Sequence, residues 1–363
     1  MMKSEVEENG KVNWLLNFYF TNVLEETKEK MNGEKQMIRA CVIGLEGGGT
    51  NTRAMVADLQ GHVLAYQESG SAHPYRDPTA KENIQMAILG ALSTAERSLE
   101  DVCYVAAGLP CYQQKEDLPL AKSLLYIDGM SCPHRIMNDS EVGHIGAFLF
   151  DPGIMVVSGT GSIVMGYTEK GEVLFNSTFG HYAPTAARYL SYQAVHSILA
   201  DQVQFEDKAL IQEVLRFWQV EGIDELRELH LHHFYMDKVE RDRQFGLMAP
   251  IVTRAAAHNR PLAKRVCDEA ILTLETGIRL IGQYFKEERV KVSFVGSVVR
   301  SPYFLGQLTD ILQKGSNKQY QVVEPILSPV AGAVLMALKE FGIPITEEIL
   351  TEIAKHERSK IGP

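Results

Sequence analysis

Two glycine-rich turns and one acidic residue carry the chemistry this sequence offers. The first turn is Glu46, Gly47, Gly48, Gly49, Thr50 and Asn51; the second is Ser158, Gly159, Thr160, Gly161 and Ser162; the acid is Asp139. A strand that ends in consecutive glycines lets the backbone approach a ligand closely and aim several N–H groups at one point. Such a nest favours anions, phosphate above all. The hydroxyls of Thr50, Ser158, Thr160 and Ser162 add donors. A single such turn is explained by a tight hairpin. Two at equivalent places in two facing domains read as opposite walls of a cleft holding a nucleoside triphosphate. Competing phosphate and metal motifs are missing: there is no G-x-x-x-x-G-K-[ST], no G-x-G-x-x-G opening a helix after a strand, and no H-E-x-x-H. His230, His232 and His233 stand among Glu225, Glu228 and Asp237 on a helix that reads as solvated, a charged surface rather than a metal site. Asp139 falls where a strand ends and a helix starts. From the residues alone it is equally a general base or a helix N-cap.

The elements that must position these residues recur in duplicate. An apolar run at 38–45 leads into the first turn, followed by strand-like runs at 52–57 and 62–67 about a turn at 58–61. A second apolar run at 153–157 leads into the second turn, with a hairpin of 163–167 and 173–175. After the first copy the periodicity predicts a helix over 79–98, a strand at 102–106, a helix over 116–125, a strand at 135–138 and a helix from 139. After the second it predicts helices from about 184, a strand at 290–295, a helix over 302–313, a strand at 321–323 and a helix over 330–341. Three strands followed by alternating helix and strand, twice, imply an α/β protein of two mixed-sheet domains that face each other. The expected division is 37–150 with 328–363 as the first domain and 151–327 as the second, with a helical insertion over about 201–284. Residues 1–36 form an extension, with Leu15, Tyr19 and Val23 at helical spacing.

The 363 residues are 45 % hydrophobic and 23 % charged, as in ordinary soluble proteins, and can bury a full core without staples. A formal charge of −10 argues against binding DNA, RNA or anionic lipid wholesale. The five cysteines, Cys41, Cys103, Cys111, Cys132 and Cys267, show no C-x-x-C pair, which suits reduced thiols in the cytoplasm. No run of 18 apolar residues suggests a membrane span, and residues 14–20 lack the cleavage residues of a secretion signal.

The ordered motifs resemble a known superfamily. VIGLEGGGTNTRAMVAD looks like the first phosphate motif of the actin/hexokinase/Hsp70 group, VVSGTGSIVMGY like its second, and FVGSVVRSP like its adenosine motif. AAGLPCYQQKED and IMNDSEVGHIGAF resemble the N-acetylglucosamine kinase branch, the BadF/BadG/BcrA/BcrD ATPase family, and PVAGAVLMAL is similar to the helix returning to the first domain. The resemblance implies two ribonuclease H-like (actin-like ATPase) domains with an interdomain nucleotide cleft, and ATP·Mg²⁺-dependent phosphoryl transfer to a sugar hydroxyl. It implies Asp139 as the catalytic base, Glu46 as the magnesium residue acting through water, and Gly296 and Ser297 at the adenosine. His73, Asn138, Phe179 and Gly180 fall where the branch contacts its sugar. The branch is often dimeric, so a homodimer is the assembly implied. Two departures concern the acceptor and the metal. Glu46 replaces an aspartate, and 182–186, YAPTA, replaces the acidic G-D-E-G-S segment. The second departure points to a sugar other than plain N-acetylglucosamine, for instance one with a lactyl ether whose carboxylate meets His73 or Arg188. Two other readings stay open: a nucleotide- or sugar-binding regulator without turnover, and an activator of 2-hydroxyacyl-CoA dehydratases, although the latter's characteristic cysteine segment is missing.

Overall fold

The computed structural model describes residues 39–314 and 317–361, so the helix expected within 1–36 lies outside the described residues. Two five-stranded sheets organise the chain. The first contains β1 (Cys41–Gly47), β2 (Thr52–Asp58), β3 (Val63–Ser69), β4 (Val102–Leu109) and β5 (His134–Asn138), in the order β3-β2-β1-β4-β5. The second contains β6 (Gly153–Ser158), β7 (Ser162–Tyr167), β8 (Val173–Phe175), β9 (Arg289–Val295) and β10 (Gln319–Val322), in the order β8-β7-β6-β9-β10. Both sheets repeat one pattern, an antiparallel three-strand meander extended by two parallel strands.

The central strand β1 is apolar on both faces because helices cover both. Cys41, Ile43 and Leu45 pack with Ile84 and Ile88 of α1 (Ala80–Thr94), while Val42 joins the opposite cluster with Val330 and Val334. A short α2 (Leu118–Leu125) follows β4, and α3 (Asp139–Phe148) follows β5 directly. Between β8 and β9 runs a block of helices, α4 (Ala187–Leu199), α5 (Lys208–Trp218), α6 (Ile223–Leu231), α7 (Lys238–Ala257) and α8 (Pro261–Gly282). Its core includes Trp218, Phe234 and Phe245. Then come α9 (Pro302–Gln313), α10 (Pro329–Glu340) and α11 (Glu347–Lys355).

Two helices tie the halves together. α3 leaves the first sheet and packs Ala147 and Phe148 on Met155 and Met165 of the second. α10 crosses it at glycines: a Cβ on Gly146 would stand 2.5 Å from Ser328 O, and one on Gly332 would stand 2.5 Å from Gly146 N. Only bare backbone permits that approach.

Several element bounds differ from the sequence reading for local reasons. The helix expected to 98 ends at Thr94, because Glu96 turns into the left-handed region at φ 54°. The helix expected from 116 begins at Leu118 after a 3₁₀ turn, Lys115–Asp117. The helix expected from about 184 begins at Ala187, because the carbonyls of Ala183 and Thr185 are held by hydroxyls of the second glycine turn.

Candidate functional site

The site forms at the carboxyl ends of β1, β4 and β5, where the pairing register sets Glu46 beside Gly108 and Leu109 beside Asn138. Ligands of open α/β sheets sit in this position. Gly108 has no side chain for a reason of packing, since a Cβ there would stand 3.2 Å from Asp139 Cα. The first glycine turn joins β1 to β2 and closes with the Gly48 N–H donating to Asn51 O at 2.8 Å. The segment after β3 backs it: the Ala72 N–H donates to Gly48 O at 3.1 Å, and the Ala72 methyl fills the space a Gly47 side chain would need.

Asn138, rather than Asp139, caps α3. Its Oδ1 accepts from the Ser140 N–H at 3.0 Å, its own N–H donates to Glu141, and its Nδ2 donates to Tyr112 O at 2.9 Å. The buried Asn138 amide thus commits its oxygen to the Ser140 N–H and hydroxyl and one of its two Nδ2–H donors to Tyr112, which leaves one N–H for a sugar. Capping is thereby taken off Asp139, the first residue of the helix. Burial and the nearby Glu46 push the Asp139 carboxyl up to about 7, against a smaller pull from backbone N–H groups at the start of α3.

Glu46 is cross-strand partner to Arg53, whose Nη1 donates to Glu46 Oε2 at 2.7 Å while its Nε reaches Glu68 at 3.0 Å. Glu46 Oε1 is turned toward Gly48. Sequence reasoning missed Arg53, although a four-residue turn closing at Gly47 and Thr52 already fixes the pairing of positions 46 and 53.

The second glycine turn is built differently. The Ser158 hydroxyl donates to Thr185 O at 2.7 Å and the Ser162 hydroxyl to Ala183 O at 2.6 Å. Both are turned onto the backbone of 183–185, which corrects their reading as donors to a ligand; the turn still offers backbone N–H groups and the exposed Thr160 hydroxyl. Gly161 has open space where a Cβ would stand. Gly296 and Ser297 lie against Gly159, and Ser158 O accepts the Val298 N–H at 3.0 Å. Gly296 is at φ 110°, where a Cβ would stand 2.5 Å from Ser158 O, so glycine is required.

The two turns meet: the Thr50 and Thr160 hydroxyls are 3.1 Å apart. His73 flanks the first turn, half-buried, with its Nδ1 buried and without a partner among the described residues. Burial and Arg76 lower its pKa, favouring the neutral ring. Arg188 donates from Nη1 to Thr160 O at 3.1 Å and faces Asp242 at 3.6 Å. The Phe179 ring lies 5.2 Å from that of Tyr284, and Gly180 makes a left-handed turn at φ 67°. Among the described residues no hydrogen bond joins Phe179 or Gly180 to the turns or to the Glu46–Asp139 pair, because this corner is organised instead around Asn176, which bonds Val164 and His181.

No helix among the described residues is long and apolar enough to cross a membrane. The described residues hold no cluster of three or more His, Cys, Asp or Glu side chains able to bind a metal, and His232 pairs with Glu228 at the surface. The five thiols are all half-buried or buried, and burial raises their pKa, Cys41 and Cys267 to about 12. A groove of about 410 Å³ lined by Leu149, Phe150, Lys339 and Ile343 lies at the opposite end of α3 from Asp139 and shares none of these residues.

The profile of the BadF/BadG/BcrA/BcrD ATPase family matches residues 43–337. An N-acetylmuramic acid/N-acetylglucosamine kinase of Clostridium acetobutylicum is 23 % identical over 309 residues, which is 82 % of this chain and 98 % of that relative. An N-acetyl-D-glucosamine kinase of Dictyostelium discoideum is 24 % identical over 328 residues, 83 % of this chain and 99 % of the relative. The solved structure of a candidate N-acetylglucosamine kinase from Chromobacterium violaceum superposes with a TM-score of 0.65 at 20 % identity, covering 82 % of this chain and 98 % of that one, a likeness of fold.

Proposed function

The chain belongs to the BadF/BadG/BcrA/BcrD ATPase family, and from that premise we propose that it is an ATP-dependent kinase of an amino sugar, N-acetylglucosamine or a related N-acetylhexosamine. The observation that carries the reading is the Asp139 carboxylate, relieved of capping by Asn138 and set beside Glu46 at the strand ends that open onto two touching glycine turns.

In this reading 37–150 with 328–363 and 151–327 act as two ATPase-like domains. The backbone N–H groups of 47–51 and 158–162 hold the triphosphate from opposite sides, and Gly296 and Ser297 border the adenosine. The neutral His73 Nδ1 offers a buried hydrogen-bonding position to a sugar hydroxyl. Asp139 accepts the proton of the attacking hydroxyl, as its raised pKa suits. The Glu46–Asp139 pair also fits a divalent cation: the Glu46 charge raises the proton affinity of Asp139, Glu46 keeps Oε1 clear of Arg53, and magnesium retains waters that bridge such distances. Bound there, magnesium would neutralise charge on the phosphates. Arg53 holds Glu46 in place and limits its longer arm to one orientation.

The acceptor wall is the finer part of the proposal. Ala183, Thr185 and Ala186 are buried and supply no carboxylate, while Arg188 stands at the start of α4, so the wall suits an amino sugar with an added or acidic substituent. An ATP-consumption screen over neutral and acidic amino sugars tests both levels. Sugar-stimulated ADP release supports the kinase; preference for unmodified N-acetylglucosamine would remove the altered wall while leaving the kinase. ATP binding without turnover on any sugar would favour a binding-only regulator.

A further inference from the structure

We propose that Arg76 meets the transferring phosphoryl group, a guanidinium supplied by the first half of the chain to the point where the two glycine turns touch. The proposal rests on the kinase reading above. Arg76 lies between β3 and α1, where its N–H donates to His73 O at 2.9 Å. A Cβ built on Gly49 would stand 3.0 Å from Arg76 Nη1 and 3.5 Å from Thr160 Cγ2. The guanidinium therefore lies over the first turn, beside the contact with the second.

Among the described residues no side-chain hydrogen bond or ion pair engages the Arg76 guanidinium, although it is half-buried. Arg188, close enough to repel it, has partners for all three nitrogens: Nη1 donates to Thr160 O at 3.1 Å, Nη2 donates to Tyr189 Oη at 3.0 Å, and Nε faces Asp242 at 3.6 Å. Asp242 in turn accepts from the Tyr192 hydroxyl at 3.0 Å. Asp242 attracts the Arg76 charge as well, but no hydrogen bond or ion pair joins the two, which leaves Arg76 a forked donor without a protein acceptor among the described residues. A half-buried guanidinium whose N–H groups have no protein acceptor is placed to receive an anion. The fork matches two oxygens of a phosphoryl group, where charge is spread during transfer. In that step the sugar oxygen bonds to the γ-phosphorus, the bond to the bridging oxygen breaks with its electron pair leaving on ADP, and the hydroxyl proton passes to Asp139. Arg76 forms no covalent bond.

The test compares full-length wild type, Arg76→Ala and Arg76→Lys in steady-state kinetics, with calorimetric titrations of ADP·Mg²⁺. Removing a donor used only in transfer should lower kcat about 10²–10³-fold with the sugar KM little changed. ADP affinity and melting temperature should hold, since ADP lacks the γ-phosphate, and lysine should restore part of kcat as a point charge. A kcat within about threefold of wild type in both variants, or a raised sugar KM at unchanged kcat, would overturn the role. If Arg76→Ala does not fold, Arg76→Lys and Arg76→Gln carry the same comparison. A wild type that binds neither ATP nor ADP would instead remove the kinase reading on which the proposal stands.

Discussion

The pair Asn138 and Asp139 separates structure from chemistry within two residues. Because Asn138 makes the cap, Asp139→Asn should leave folding and ATP affinity close to wild type while lowering turnover by at least about 10²-fold, the usual contribution of a positioned base. Steady-state kinetics beside a melting curve check it; a variant that unfolds but keeps normal activity per folded molecule would return Asp139 to a structural role. The sequence showed an acid at a strand-to-helix junction and left base and cap equal. What divides them is the backbone at the junction, φ −66° and ψ 148° at Asn138, and no propensity scale separates neighbouring Asn and Asp by that. Arg76 was equally hidden. Its meaning comes from Gly49 and Thr160, distant in sequence, and a lone arginine in a loop has no periodic signature.

Glycines in the elements around the cleft divide by what a side chain would meet. Gly161→Val adds bulk into open space, so the protein should melt as wild type yet lose the thermal shift that ATP·Mg²⁺ gives by mass action. Gly296→Ala, at φ 110° and against Ser158 O, should lower the melting temperature without any ligand. Equal losses of apo stability in both would contradict this division. α3 carries a second testable feature. His144 is buried, its Nε2 lies 3.1 Å from Gly153 O, and burial lowers its pKa from 6.5 to about 4. The unfolded chain takes up this proton first, so the stability due to the neutral ring is complete above pH 6.5 and declines as pH falls toward about 4. A shift of that size is on the order of 3 kcal/mol. His144→Gln, measured by denaturant unfolding across this range, should flatten that part of the slope. Strand and helix identities were legible from period and glycine punctuation. The ends that moved, at Thr94 and Ala187, were set by a left-handed residue and by tertiary hydrogen bonds from Ser158 and Ser162, which local pattern does not encode.

At the scale of the molecule, the repeated strand order places two equivalent turns face to face, and α3 and α10 connect the halves. The duplication was readable because both copies keep the same order of apolar run, glycine turn and hairpin. The crossing of α3 on α10 was not, because Gly146 and Gly332 look like ordinary weak points in their helices until the partner backbone is in place. Gly332→Ala should cost about 1–3 kcal/mol by overpacking that crossing, read from the denaturant midpoint; an unchanged midpoint would mean the helices separate freely.

The central claim is that the acid beside the touching turns moves a phosphoryl group from ATP to an amino sugar. Mass spectrometry of wild type and Asp139→Asn incubated with ATP, Mg²⁺ and a set of N-acetylhexosamines, neutral and acidic, tests it most directly. The predicted result is a phosphorylated sugar from the wild type, with little from the variant although the variant still binds ATP. ATP bound by both proteins with no phosphorylated sugar from either, or equal product from both, would contradict the account.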